Sequence, residues 1–212
     1  MDQHKTRGFT IVELLIVIVI LGILAAIVIV AYNGIQLQAR NSKTTSVIQA
    51  YKKALLQYAT VNRTYPATGS SCLGDDYPDD GAFTAAASRS CFRSNSTGII
   101  NTTFNSKLLP FMGGSSLPTP NNKIYGDGAS PWAIRGAIMH TSTGTIINGT
   151  ANPWILIYTL EGQTKCSVGP ALDTTGYPNI SGGAAASGYT ALISGGTPGV
   201  ECWVAMPDPA KI

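Results

Sequence analysis

The strongest pattern in the chain is a long apolar run near its beginning. From Leu14 to Tyr32 there is no charged residue, and only Gly22 interrupts a series of Leu, Ile, Val and Ala. As a helix, these 19 residues would rise about 28 Å, close to the roughly 30 Å hydrocarbon core of a bilayer. The pattern therefore predicts a helix that is long and apolar enough to span a membrane.

The charges that flank this run predict its orientation. His4, Lys5 and Arg7 precede it, and the next cation is Arg40. Positive charge on the N-terminal side predicts that the tip stays in the cytoplasm and that the bulk of the chain lies outside. A cleaved secretory signal fits less well, because the run is longer than such signals use and no small-x-small cleavage site precedes a domain start.

A second periodic pattern follows the apolar run without a break. Between Gly34 and Asn62, apolar residues recur at steps of three and four, which is typical of an amphipathic helix. The segment Asn62–Pro66 predicts the helix end, because the residue before a proline disfavours the helical conformation. The predicted apolar stripe consists of Val47, Tyr51, Ala54, Leu55, Tyr58 and Val61.

The remainder, from Thr64 to Ile212, is punctuated by Gly and Pro and predicts a β-rich domain. About 150 residues suffice to bury one core. The predicted fold class is α+β, with an antiparallel sheet against the outer part of the long helix. Candidate strands are Ala133–Met139, Trp154–Leu160, Tyr189–Ile193 and Val200–Ala205, and Thr145–Gly149 suggests a short strand and a turn.

Composition narrows the function classes. The chain has 212 residues, 12% of them charged, and a formal net charge of +3. One domain with an appendage fits this length. The small basic surplus gives no electrostatic case for nucleic-acid binding. Weak binding of nucleic acid through Arg89, Arg93 and Lys107 remains an alternative that nothing in the sequence supports.

Glu13 is the anomaly of the N-terminal segment, since it lies at the start of an otherwise apolar span. An ionised carboxylate inside a membrane costs roughly 2.5–3.5 kcal/mol or more, so such a residue indicates a function and a partner. The alternative is that Glu13 lies at the level of the lipid headgroups, where the cost is small.

The residues around Glu13 resemble a known signal. Lys5 to Leu15 reads KTRGFTIVELL, and an apolar helix continues to Ile27. This segment resembles the class III signal of type IV pilins and pseudopilins. The resemblance implies that a membrane peptidase cuts after Gly8 and methylates the new terminal amine of Phe9. Glu13 then matches the glutamate five residues into the mature chain.

The resemblance also implies how the chain is divided and what Glu13 does. Residues 1–8 would be a cleaved leader, 9–33 the transmembrane and filament-core helix, 34–62 an amphipathic spine and 63–212 the globular head. In the family, the glutamate is thought to pair with the terminal amine of an adjacent subunit. Val30 stands where many type IVa pilins have proline, which predicts a straighter helix.

Four cysteines lie in the part of the chain predicted to be exported, where disulfides persist. Four cysteines allow three pairings. We favour the pairs closest in sequence, Cys72–Cys91 and Cys166–Cys202, and the second resembles the bridge that often closes the C-terminal region of pilins. A different pairing of the four cysteines, or one reduced pair, remains an alternative.

An acidic cluster formed by Asp75, Asp76, Asp79 and Asp80 is a weak candidate calcium site, because some secretion pseudopilins bind calcium in their heads. The spacing does not match an EF-hand loop. A solvated turn is the favoured interpretation, so no metal is expected. Exported Asn-x-Ser/Thr triplets occur, with none favoured as a glycosylation site, at Asn62, Asn95, Asn101, Asn148 and Asn179.

No motif predicts catalysis. The sequence has no Gly-x-Ser-x-Gly elbow, P-loop or His-Glu-x-x-His, and His4 and His140 lack an acid–nucleophile grouping nearby. We therefore expect neither an enzyme nor a cofactor.

The resemblance implies a structural subunit of a type IV pilus, polymerised through its N-terminal helix for adhesion, twitching motility or DNA uptake. Its partners would be copies of itself, other pilins, the prepilin peptidase/methylase and the assembly platform. The precursor would lie in the cytoplasmic membrane and the assembled form at the cell surface.

Two alternatives remain. One is a pseudopilin of a type II secretion system, although two predicted disulfides and a polar head favour the pilus. The other is a membrane-anchored binding module or enzyme that retains Met1–Gly8.

Overall fold

The structure is a computed structural model of the whole chain, which divides into two compact units, residues 1–39 and 40–212. It describes residues 10–66, 69–75, 77–79, 83, 89–94, 97–98, 102–120, 132–141, 146–147, 150–151, 153–162, 166–168, 180–181 and 199–212. Its helices are α1 (Ile11–Asn62), α2 (Thr102–Met112) and a 3-10 turn at Pro209–Lys211. Its strands are β1 (Ser71–Cys72), β2 (Phe92–Ser94), β3 (Thr97–Gly98), β4 (Trp132–Ile134), β5 (Ala137–Thr141), β6 (Ile146–Ile147), β7 (Thr150–Ala151), β8 (Trp154–Glu161), β9 (Ile180–Ser181) and β10 (Gly199–Ala205).

Helix α1 ends at Asn62, as the sequence predicts, and its predicted start at Phe9 lies outside the described residues. Its helical assignment is continuous through Val30, as the lack of a proline at that position predicts. It ends at Asn62 because Arg63 adopts a positive φ of 56°. The Arg63 N–H still donates to the Ala59 carbonyl at 2.8 Å, which closes the last turn.

The second part of α1 forms one wall of the main core of the 40–212 unit. Tyr51, Ala54 and Leu55 are buried as predicted, and Ile48 and Ala59 join them. Val61 was predicted to belong to the same stripe, and that prediction is wrong, because its side chain is 72% exposed. Val61 lies in the last turn of α1 and lines an open groove, where no described residue covers its side chain.

A four-stranded antiparallel sheet in the order β1-β5-β8-β10 packs against this wall, which confirms the α+β arrangement. Alternate residues of β8 point to opposite sides of the sheet. Leu156 and Tyr158 join the core with α1. Ile155 and Ile157 join a second cluster that includes Trp203. Since side chains on both faces of β8 are buried in one of these two clusters, its sequence is almost continuously apolar.

The described residues form two further small antiparallel sheets, β3-β2-β4 and β7-β6-β9. The predicted strands Trp154–Leu160 and Val200–Ala205 correspond to β8 and β10. The short strand predicted within 145–149 is β6, and the turn residues beside it lie outside the described residues. The predicted strand Tyr189–Ile193 also lies outside them.

The prediction of one continuous strand over Ala133–Met139 is wrong, because the chain forms two separate strands there, β4 and β5. The break falls at Arg135 and at Gly136, whose φ is +66°. The Arg135 side chain is fully buried, with its guanidinium 4.2 Å from the Phe83 ring, and its Nε donates to the Ser90 carbonyl. The two halves consequently pair in different sheets.

Candidate functional site

The most unusual surface of the chain is the first part of α1. Fifteen large apolar side chains between Ile11 and Ile29 are about half or more exposed, from 49% at Val17 to 85% at Ile11. By length and composition, α1 is the one helix in the described part of the chain that could cross a membrane. A continuous apolar surface of this size marks a site that binds either lipid or protein.

Glu13 lies at the beginning of this surface and forms a reciprocal cap with Thr10. Its Oε2 accepts from the Thr10 backbone N–H and from the Thr10 hydroxyl, both at 2.8 Å. The Glu13 N–H donates back to the Thr10 Oγ1 at 3.2 Å. This is a capping box, in which a Thr and a Glu three residues later satisfy each other's backbone donors.

The cap has a particular value on an apolar helix. The first N–H groups of a helix have no partner within the helix, and in hydrocarbon each unsatisfied group costs several kcal/mol. The Thr10–Glu13 pair satisfies two of these groups and places negative charge at the positive end of the helix dipole. Only Oε2 takes part in these hydrogen bonds, so the cap does not use the acceptor capacity of Oε1.

The two residues that the sequence assigns to processing, Gly8 and Phe9, lie outside the described residues, as do His4, Asp76 and Asp80. Glu13 is therefore the predicted assembly residue with described geometry. The sequence analysis overlooked Thr10. The sequence does contain the pattern that indicates the role of this residue, because Thr-x-x-Glu before an apolar run is typical of a capping box.

In the 40–212 unit, α1 is attached to the end of β8 by polar contacts. The Arg40 guanidinium binds the Glu161 carboxylate, with Nε–Oε1 at 3.0 Å and Nη2–Oε2 at 2.9 Å. The Asn41 side chain donates to the Glu161 carbonyl at 2.8 Å and accepts from the Glu161 N–H at 2.9 Å. The Glu161 side chain is only 5% exposed, whereas that of Arg40 is 48% exposed.

We call Arg40, Asn41 and Glu161 the clamp. It satisfies both the charge and the backbone groups of Glu161 at the end of a buried strand. No local sequence pattern indicates the clamp, since about 120 residues separate its two sides.

Two disulfides join distant segments of the same unit. Cys72 is bonded to Cys91 with a sequence separation of 19, and Cys166 to Cys202 with a separation of 36. The first lies in the cluster with Trp203 and the second in the core against α1. Each bridge therefore fixes a loop segment to a strand of the main sheet.

The acidic segment is placed at the surface. Asp75 and Asp79 are exposed, and Asp75 Oδ1 accepts from the Asn105 side chain at 2.8 Å. Tyr77 between them is buried and donates to the Leu73 carbonyl at 2.7 Å. Among the described residues, no three His, Cys, Asp or Glu side chains are arranged to hold a metal ion.

Burial also perturbs the pKa of one histidine and of one glutamate in this unit. Desolvation lowers the pKa of His140, whose Nδ1 lies 2.6 Å from the Ser70 hydroxyl. Desolvation raises the pKa of Glu201 to about 7, partly offset by a hydrogen bond from the Trp203 indole at 2.6 Å. The His140–Ser70 contact brings no carboxylate with it within the described ranges, so it does not form a catalytic triad there.

Comparisons with known proteins match the N-terminal part of the chain. Residues 3–29 match the prokaryotic N-terminal methylation motif. The chain is 41% identical over 68 residues to the type II secretion system core protein G of Aeromonas hydrophila, which covers 32% of this chain and 48% of that protein.

The corresponding protein of Escherichia coli K12 is 42% identical over 64 residues, covering 30% of this chain and 44% of the relative. That of Pseudomonas aeruginosa is 38% identical over 68 residues, covering 32% and 48%. The chain thus spans about half the length of the curated relatives it matches. No solved structure gives a significant match.

The matched segment contains the basic tip, Gly8, Phe9, the Thr10–Glu13 cap and the apolar surface of α1. The N-terminal part of this chain therefore carries a prepilin-type methylation motif and is homologous to type II secretion pseudopilins, a type IV pilin-like family.

Proposed function

We propose that this chain is a structural subunit, not an enzyme, that polymerises into a pilin-type filament through its N-terminal helix. The observation that carries the proposal is the exposed apolar surface from Ile11 to Ile29, with a single acidic side chain at its beginning. Burying a large aliphatic side chain is worth roughly 1.5–3 kcal/mol. Fifteen such side chains supply enough driving force to hold the helix either in lipid or against copies of itself.

Processing converts the membrane form into the filament form. The basic tip holds the leader in the cytoplasm, and cleavage after Gly8 removes it. Methylation of the Phe9 amine by the prepilin peptidase/methylase leaves a cation beside Glu13. The Glu13 Oε1, which the cap does not use, would accept from such an ammonium group, either of its own chain or of a neighbour.

This pairing gives the filament its axial register. Each charge alone is costly in an apolar bundle, and leaving one partner unpaired costs about 3–5 kcal/mol. Sliding one helix past another by a turn separates the two charges. The correctly registered assembly is therefore favoured over the slipped one.

The relatives favour a pseudopilus over a type IV pilus. The similar proteins are type II secretion system core proteins, and we propose that this chain assembles with related pilin-like subunits on a secretion platform. A surface pilus is the second candidate. It is supported by a head that the relatives do not match and that carries two disulfides.

Variants at Glu13 test the assembly step. Glu13→Ala removes both the cap and the charge, whereas Glu13→Gln keeps a capping box, since Gln also serves at that position. We expect both variants to be cleaved and neither to form filaments. Normal filaments from Glu13→Gln would show that capping alone is needed and would refute the charge pairing.

The processing step is tested separately. Mass spectrometry of the mature wild-type chain should find Phe9 as its first residue, with one added methyl group. Gly8→Leu should leave the chain at precursor length, and a mature-size product from that variant would contradict the assignment.

Immunoelectron microscopy distinguishes the two kinds of filament. Short assemblies confined to the cell envelope are expected for a pseudopilus. Long labelled filaments on cells that produce the chain at its normal level would instead establish the surface pilus.

A further inference from the structure

The hydroxyl group of Ser70 lies against the nitrogen of an imidazole ring. Its Oγ is 2.6 Å from the Nδ1 of His140. The hydroxyls of Ser46 and Ser106, by comparison, donate to backbone carbonyls at 2.9 Å. A carbonyl oxygen accepts a hydrogen bond without taking the proton, whereas histidine is the side chain that most often acts as a general base. The contact between Ser70 and His140 therefore joins a hydroxyl nucleophile to a base.

The register of the main sheet brings these two residues together. Strand β1 pairs with β5 in the antiparallel sense, with Ser71 opposite Met139. The same register places Ser70, which directly precedes β1, opposite His140. Cys72, within β1, is held in addition by its disulfide. Side chains directly opposite each other on antiparallel strands are close enough to interact, so the fold itself positions the pair.

The imidazole of His140 is in the protonation state that a base requires. Desolvation by burial lowers the pKa of this histidine from its ordinary value of 6.5, so the ring is neutral at pH 7. In the tautomer that carries its proton on Nε2, Nδ1 accepts the hydrogen bond from the Ser70 hydroxyl. Their separation of 2.6 Å lies within the range of about 2.6–3.2 Å that joins a nucleophile to its base.

The pair is accessible from outside the head. Ser70 and His140 are half-buried, and neither is enclosed in the core. Beside them, no described atom lies within 4 Å of a Cβ built at Gly69. β1 is also the edge strand of the main sheet, so no further strand of that sheet lies beyond it. A small reagent can consequently reach the hydroxyl while the head stays folded.

We propose that Ser70 is a modification site that takes an acyl group from an activated ester or thioester, with His140 as its general base. The Ser70 Oγ attacks the carbonyl carbon, and the hydroxyl proton passes to the His140 Nδ1. The bond from that carbon to the leaving oxygen or sulfur then breaks, and the leaving group takes the proton from Nδ1. The products are O-acylated Ser70 and an alcohol or thiol.

This modification goes beyond the proposed function, because it concerns the head and not the assembly helix. It needs no metal and no redox partner, since the acyl donor supplies the carbon that is transferred and the imidazole carries the proton. The rigid register holds the hydroxyl and the base in place, and such positioning is itself a large part of the acceleration of a reaction between two groups.

Acetylation of the full-length chain in detergent by p-nitrophenyl acetate provides the first test. Acid quenching followed by peptide mass spectrometry gives the rate of acetylation at each serine. A positioned general base contributes roughly 10²–10⁴-fold, so we expect Ser70 to react about a hundredfold or more faster than Ser46 and Ser106. These two exposed serines are internal controls, because their hydroxyls contact carbonyls. Equal rates at the three serines would overturn the proposal.

The variant His140→Asn separates the base from the hydrogen bond. Its side-chain oxygen can accept from the Ser70 hydroxyl, but an amide does not take the proton. We expect the thermal unfolding of this variant to resemble that of the wild-type chain and the acetylation rate of Ser70 to fall to that of Ser46. An unchanged rate at Ser70 in the folded variant would refute the role of His140 as the base.

Ser70→Ala is the control for the assay, because the fast release of p-nitrophenolate should disappear with the hydroxyl. Fast release that persists in this variant would assign the reaction to another group and contradict the proposal. If His140→Asn fails to fold, the comparison of Ser70 with Ser46 and Ser106 in the wild-type chain still decides the outcome. Filament formation enters neither measurement, so these results are independent of the proposed function.

Discussion

Gly136 separates β4 from β5, and replacing it with alanine should destabilise the head strongly. Its φ is +66°, a conformation that L residues rarely adopt. A Cβ built on this backbone would lie 2.6 Å from Cε1 and 2.8 Å from Cζ of Tyr77. The substitution therefore introduces both backbone strain and a steric clash.

Tyr77 cannot move away easily. Its hydroxyl donates to the Leu73 carbonyl at 2.7 Å and accepts from the Ala137 N–H at 3.3 Å. Its ring is buried and lies 5.3 Å from the Arg135 guanidinium. Relief of the clash would break these contacts or shift the start of β5 away from β8.

The two effects can be estimated separately. Placing an L residue in the left-handed region costs about 1–2 kcal/mol. Overpacking a close-packed core adds about 1–3 kcal/mol. We therefore expect the free energy of unfolding to fall by about 2–5 kcal/mol, and the melting temperature of a unit of this size to fall by roughly 4–20 °C.

Gly113 supplies a matched control. Its φ is +69°, almost the same as that of Gly136, but nothing lies within 4 Å of a Cβ built there. Gly113→Ala should therefore show the backbone cost alone, about 1–2 kcal/mol.

Thermal unfolding of the full chain in detergent measures both variants. Tryptophan fluorescence is a suitable signal, because Trp203, one of the three tryptophans, lies in the same buried cluster as Tyr77. The reasoning fails if the two variants lose the same stability, since the contact with Tyr77 would then contribute nothing.

Two further predictions concern buried carboxylates. Arg40→Ala leaves the nearly buried Glu161 carboxylate without its guanidinium partner, and it should lower the free energy of unfolding by about 1.5–3 kcal/mol. The control Lys43→Ala, at an exposed position, should change that free energy by less than about 0.5 kcal/mol. Equal losses in chemical denaturation would show that the clamp is not stabilising. The pKa of Glu201 is raised to about 7, so this carboxyl group binds its proton more tightly in the folded chain than in the unfolded chain. The free energy of unfolding should therefore fall by about 3 kcal/mol as the pH rises from about 4.5 to about 7. Glu201→Gln should abolish this part of the pH dependence, and an unchanged profile would assign it to other groups.

The sequence predicted the continuous course of α1 and its end at Asn62 because the signals for them are local. The apolar run, the three- and four-residue periodicity and Tyr65–Pro66 all act within a few residues of the positions they specify. The same holds for β8 and β10, whose apolar runs are long enough to indicate strands by themselves. Val61 was assigned incorrectly because periodicity does not show where the head stops covering the helix.

The break at Gly136 was missed for a related reason. Ala133–Met139 is apolar enough to form one strand, and a glycine within it indicates only a weak point. The chain turns there because buried Tyr77 approaches the backbone closely and the Arg135 side chain packs against Phe83. Tyr77 lies about 60 residues from this turn, so no local pattern contains that information.

The sequence alone determined the membrane-length helix, the prepilin-type segment with Glu13 at its beginning, and the α+β class, because each depends on the order of neighbouring residues. The tertiary structure decided which groups meet across long separations, such as Arg40 and Asn41 with Glu161, and Arg135 with Phe83. These meetings arise from packing one particular sheet against one particular face of α1. Packing is a property of the whole folded unit, and no stretch of sequence specifies it by itself.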